Sequence, residues 1–165
     1  HTGQLPLYYS QKNTGRPGPG ANDVFWTHYT DAPNTPLYPF GFGLSYTEFD
    51  YSEVTLSANS IAVDESLEVS VTLTNTGERD GVEIAQLYIR DLIGSITRPV
   101  KELKGFERVA LKAGESKKVT FTLGPKTLGF YNTKGEYLVE AGDFEIFVGG
   151  NSDASVAATF SATAD

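Results

Sequence analysis

Leu67-Glu68-Val69-Ser70-Val71-Thr72-Leu73-Thr74 alternates an aliphatic with a polar residue at every step. Successive side chains of an extended chain point to opposite faces, so all four aliphatic residues share one face and the polar ones take the other. The run predicts a half-buried β-strand, and Asn75-Thr76-Gly77 ends it in a turn. The same period continues downstream. Val82 to Asp91 sets Ala85, Leu87 and Ile89 on one face and Gln86, Tyr88 and Arg90 on the other. Val119, Phe121 and Leu123 alternate with Lys118, Thr120 and Thr122.

Lys101 to Leu111 is a further strand, read as broken at Gly105, and Glu136–Glu140, Phe144–Val148 and Val156–Ser161 follow. With Tyr51–Leu56 they make about eight short strands. Asp80-Gly81, Ala113-Gly114, Lys134-Gly135, Ala141-Gly142 and Gly149-Gly150-Asn151 supply the turns between them. No ten-residue window holds a helical period. Antiparallel strands this short bury their apolar faces by stacking two sheets, so residues 50–165 predict an all-β fold, a sandwich of about seven to eight strands of the immunoglobulin or fibronectin type III kind. A chain without cysteine cannot form the Cys-Trp-Cys framework of an antibody domain.

Residues 1–49 are unlike the rest. Six of the eight prolines fall there, at Pro6, Pro17, Pro19, Pro33, Pro36 and Pro39, together with Trp26 and both histidines, His1 and His28. One strand is expected, Gln4–Tyr9, interrupted by Pro6; the remainder is turn chemistry. This arm ends in Leu37-Tyr38-Pro39-Phe40-Gly41-Phe42-Gly43-Leu44-Ser45-Tyr46-Thr47, an uncharged run too apolar for a loose linker and too interrupted for a helix. It reads as a rigid seam. The arm's aromatics need a surface to bury against, so residues 1–49 are expected to be the tail of a larger domain, with Arg16, Tyr38, Phe40, Phe42 and Tyr46 as interdomain anchors.

A net charge of −8 argues against nucleic acid and against an anionic membrane surface. No run approaches the roughly 20 apolar residues that span a bilayer. The opening His1-Thr2-Gly3 and the absence of methionine are what a fragment, a processed product or one piece of a nicked polypeptide would show. Without cysteine there is no thiolate metal site, and His28 has no matching partner, so neither metal nor cofactor is expected.

Asn75-Thr76-Gly77, Gly81, Gln86-Leu87-Tyr88, Arg98-Pro99, Lys101-Glu102-Leu103-Lys104-Gly105-Phe106 and Leu111-Lys112-Ala113-Gly114-Glu115, in that order, resemble the fibronectin type III-like domain that ends many family 3 glycoside hydrolases. Gly3-Gln4-Leu5-Pro6-Leu7-Tyr8-Tyr9 and Asn13-Thr14-Gly15-Arg16-Pro17 resemble the end of that family's α/β sandwich domain, and the seam resembles the junction between the two. The likeness is strongest to bacterial periplasmic β-glucosidases. It implies retaining hydrolysis of a terminal β-linked sugar, glucose or sometimes xylose, by two carboxyl groups. It places the nucleophile on a (β/α)-barrel domain and the acid/base on the α/β domain or a nearby loop. No carboxylate of this chain matches either motif, so no catalytic residue is carried over. The implied partners are those two domains, expected on a separate associated chain, and through them a β-glucoside or oligosaccharide; a homo-oligomer is left open. The implied location is periplasmic or extracellular.

Three groups of residues stand as site candidates beside this reading. Trp26, His28 and Tyr29, flanked by Phe25, Asp23 and Asp31, could stack on a sugar at the rim of a substrate pocket, or simply anchor the arm. Glu78, Asp80 and Glu83 cluster at a turn and Asp64 and Glu65 precede a strand, all expected to be solvated turn residues, while Asp143 is expected simply to enter a strand. Tyr88, Phe106, Phe130, Tyr131, Tyr137, Phe144, Phe147 and Phe160 are expected mostly in the core, with Phe130-Tyr131 the best exposed pair.

Overall fold

The computed structural model describes residues 3–12, 29 and 31–164. Its strands are β1 (Phe49–Tyr51), β2 (Thr55–Leu56), β3 (Ser60–Ala62), β4 (Leu67–Asn75), β5 (Gly81–Asp91), β6 (Glu102–Leu111), β7 (Ser116–Leu123), β8 (Phe130–Tyr131), β9 (Tyr137–Leu138), β10 (Gly142–Gly149) and β11 (Val156–Thr163). One helical turn, α1 (Pro125–Leu128), lies between β7 and β8. In the first sheet β4 pairs with β7 along one edge and with β1 and β2 along the other. The second sheet runs β3-β11-β10-β5-β6, antiparallel except for the β3–β11 pair. β8 and β9 form a small separate hairpin.

The alternation at residues 67–74 does what its period dictates. Leu67, Val69, Val71 and Leu73 are buried against Ala85, Leu87 and Ile89 of β5, Phe144 and Ile146 of β10 and Phe160 of β11 in one core. Each such aliphatic side chain stabilises the fold by about 1.5–3 kcal/mol. Phe144 and Phe160 are cross-strand partners whose rings stack 5.0 Å apart.

Four local expectations are corrected. Gly105 does not break its strand: β6 is continuous, and a side chain there would strike the Phe121 ring at 2.9 Å, so glycine lets β7 pack close. The register shifts nearby, between Leu87 and Tyr88. Tyr51–Leu56 is two strands along β4, because the register slips by one residue between the Tyr51–Leu73 and Thr55–Ser70 pairs. Gln4–Tyr9 is not a strand; Pro6 lacks a donor and the arm's only sheet-like link among the described residues is a bridge from Lys12 to Pro99. Phe130 is buried beneath Arg98, so the exposed pair is Tyr131 with Tyr137, 5.0 Å apart, and Phe106 is exposed as well.

Candidate interdomain interface

Alternation along β5 sends Gln86 and Tyr88 to the outer face of the second sheet, yet their exposures are 4% and 0%. The arm covers them. Tyr9 packs edge-on against Tyr88 at 5.8 Å and stacks on Phe40 at 4.2 Å. The Tyr88 hydroxyl donates to Gln86 Oε1 at 2.5 Å, and burial, with Tyr9 beside it, pushes its pKa up to about 12. The Gln86 amide donates to the carbonyls of Gly41 and Gly150, at 3.2 and 2.6 Å. Gly41 has φ +80°, and any Cβ there would overlap the Gln86 carboxamide, so both backbone and space require glycine.

A second set of bonds fastens the seam from below. The Ser152 N–H donates to the Phe40 carbonyl at 2.8 Å. Lys101 Nζ donates to the carbonyls of Ser152 and Ala154, at 2.6 and 2.9 Å, and lies 4.0 Å from the Phe147 ring centroid. Burial lowers the Lys101 pKa, with Asp153 and Glu145 opposing. The Val100 N–H donates to the Gln11 carbonyl at 2.8 Å beside the Lys12–Pro99 bridge. At the seam's far end the Thr47 hydroxyl donates to Asn75 Oδ1 at 2.6 Å.

The seam is thus held on one side and bare on the other. Leu37 is 86% exposed, Tyr38 64%, Leu44 91% and Tyr46 93%. Phe40 and Phe42 are about half exposed, and Phe42 lies against Tyr38 at 5.1 Å. Leu5, Leu7 and Tyr8 of the arm are exposed too. Apolar side chains gathered in this way mark an interaction surface rather than ordinary scatter.

Of the anchors expected from sequence, Tyr38, Phe40, Phe42 and Tyr46 come together on this surface, whereas Arg16 lies outside the described residues. So do two rim candidates, Trp26 and His28. Tyr29 is an internal brace: its hydroxyl accepts from the Leu5 N–H at 2.8 Å and its own N–H donates to Asn34 Oδ1 at 3.0 Å. Three of the carboxylates accept hydrogen bonds within the fold. Asp80 accepts from the Ala113 N–H, Glu65 from the Ala62 N–H and Asp143 from the Ser161 hydroxyl. Among the described residues no three metal-ligating side chains cluster.

Glu83 is different, because it accepts from the Tyr51 hydroxyl at 2.9 Å and burial raises its pKa, with Tyr51 opposing. A raised carboxyl contributes stability at pH below the ordinary carboxyl range and loses it as pH rises through the folded value. Melting curves from pH 4 to 7 should therefore show a decline that Glu83→Gln, which keeps the acceptor, flattens. An unchanged slope in the variant would count against this assignment.

Three contributors were not singled out from sequence: Tyr9, Gln86 and Lys101. Each lies inside a motif quoted above, but their roles depend on strands and arm meeting from distant parts of the chain.

Residues 83–152 match the family model of the fibronectin type III-like domain. The chain is 47% identical, over 91% of its length, to a periplasmic β-glucosidase of Salmonella typhimurium, of which it covers 20%. It is 43% identical, over 98% of its length, to a β-xylosidase of Formosa agariphila, of which it covers 21%. The solved β-glucosidase of Listeria innocua in complex with gluconolactone superimposes with a TM-score of 0.91 and 44% identity, over 98% of this chain and 22% of that one. The chain spans about a fifth of the length of the relatives it matches.

Proposed function

We infer the role of this chain from one premise: its sandwich is a fibronectin type III-like domain, and over nearly its whole length the chain belongs with the family 3 β-glucosidases. It acts as the C-terminal structural part of a retaining, exo-acting β-glucosidase that removes terminal non-reducing β-D-glucosyl residues. Residues 1–49 complete and clamp an α/β domain, and residues 50–165 buttress it. The carboxyl pair belongs to the (β/α)-barrel and α/β domains, on a preceding or separately associated chain. The β-xylosidase relative makes a xyloside the substrate to compare. The periplasm or the exterior of a bacterium is the proposed location, on the name of one relative. No helix among the described residues is long and apolar enough to cross a membrane.

The observation that carries this reading is the seam, apolar and exposed outward while fixed inward by Gln86, Ser152 and Tyr9. A rigid apolar surface has no role on an isolated domain and an evident one beneath another. The purified 165-residue chain should release no aryl aglycone from an aryl β-glucoside, and should bind the remaining four-fifths of the enzyme. Hydrolysis above a blank by the chain alone would falsify the scaffold role.

A second reading, a glycan-binding module, has the exposed Tyr131 and Tyr137 rings in its favour. Affinity electrophoresis through soluble glucans separates the two: retardation of the chain supports binding, and unaltered mobility supports the scaffold.

A further inference from the structure

The arm covers only one end of the outer face of the second sheet. Toward the other end, Val82 and Ile84 of β5 share a face with Gln86 and Tyr88 but are 39% and 40% exposed. Their cross-strand partners on β6 are Ala110 and Arg108, and the partner of Gln86 is Phe106, itself 68% exposed. The seam meets this face of β5 at Gly41, which lies against Gln86, the cross-strand partner of Phe106. From there it passes to the inward face of β5, where the Thr47 methyl group lies against Gly81, the cross-strand partner of buried Leu111. Leu44 and Tyr46, more than nine-tenths exposed, fall between these two contacts.

We propose that Val82, Ile84 and Phe106 form a docking strip continuous with the seam, and that its occupant is another domain of the same enzyme, presenting apolar side chains around one carboxylate. The inference rests on the scaffold reading and deepens it. The carboxylate is inferred from Arg108, an exposed residue of the strip. Arg108 is the cross-strand partner of Ile84 in the middle of the strip and has no ion-pair partner among the described residues. The acids nearest in sequence lie at positions of opposite alternation: Glu107 adjoins it on β6, and Glu83 is engaged by Tyr51. A chain carrying net −8 that leaves an arginine unpaired on an apolar face is electrostatically set to meet an acid. A second copy fits poorly, since a two-fold contact centred on the strip would bring Arg108 against its own mate. The fivefold greater length of the relatives supplies the protein surface that the strip needs.

The test is the affinity of the 165-residue chain for the rest of the enzyme, measured by calorimetry for the wild type, Phe106→Asp, Arg108→Glu and the seam variant Leu44→Asp. All three positions are exposed, so circular dichroism should show unchanged folds. The expected result is a loss of affinity of roughly 10- to 100-fold for Phe106→Asp and for Arg108→Glu. Wild-type affinity in both, with Leu44→Asp weakened, overturns the strip and leaves the scaffold reading standing. A wild-type chain that does not bind overturns both. A chain that self-associates through Phe106 and Arg108 makes a second copy the occupant and overturns the proposal.

Discussion

Arg98→Ala is expected to cost about 3–5 kcal/mol, the scale of a buried ion pair left with one partner. Arg98 is only 10% exposed in its side chain, with Nε 3.5 Å from Asp91 Oδ2 and a terminal nitrogen 2.8 Å from Glu102 Oε2. Its guanidinium lies 4.3 Å above the Phe130 ring, so the substitution also uncovers an aromatic side chain. What remains is Asp91, 4% exposed and already raised in pKa by burial, with Arg98 as the main force pulling it back. Removing Arg98 raises the folded value further. A raised acid is stabilising at pH below its unfolded value and loses that contribution as pH rises. The deficit of the variant should therefore be large at pH 7 and shrink toward pH 4. Urea unfolding of Arg98→Ala at both pH values checks this, and equal deficits would count against it. Asp91→Ala added to Arg98→Ala should recover part of the loss, because it deletes the stranded charge.

Asn75→Ala is expected to cost about 3 kcal/mol, because each buried polar group left unpaired costs roughly 1–3. Asn75 is fully buried at the end of β4. Its amide donates to the carbonyls of Arg79 and Leu111, at 2.7 and 3.3 Å, while Oδ1 accepts from the Thr47 hydroxyl and the Gly77 N–H. One side chain thus joins the β4–β5 turn, the end of β6 and the seam. Asn75→Asp, of nearly the same shape, restores the acceptor but not the donor and adds a buried charge, so it should not rescue. A midpoint of denaturation for Asn75→Asp equal to the wild type would overturn this account.

The fold was legible where one face decides. Residues 67–74 pair the whole length of β7 as their alternation dictates, and Val119, Phe121 and Leu123 answer from across the pair. Legibility failed where a second contact overrides the period. Alternation set Gln86 and Tyr88 on the face opposite Ala85, Leu87 and Ile89, but it cannot report that an arm lies over that face. Gly105 read as a break because its reason, the Phe121 ring, sits some sixteen residues further on. The short strands β1, β2 and β3 and the turn α1 carry too few residues for any period to show. The aromatic seam stood out by composition alone, but nothing in its residues told which side is fastened and which is bare. That division depends on Ser152 and Gln86, far along the chain.

The covering of Tyr88 and Gln86 by Tyr9 and Gly41 limits how such a sandwich can travel in evolution. A swap of residues 50–165 alone would carry away a sheet with a stripped aromatic face and an amide without its carbonyl at Gly41. The piece that can be exchanged intact includes the seam, and with it the bare apolar side chains Leu37, Tyr38, Leu44 and Tyr46. Recombination at this junction therefore exchanges the sandwich together with the apolar face of its seam.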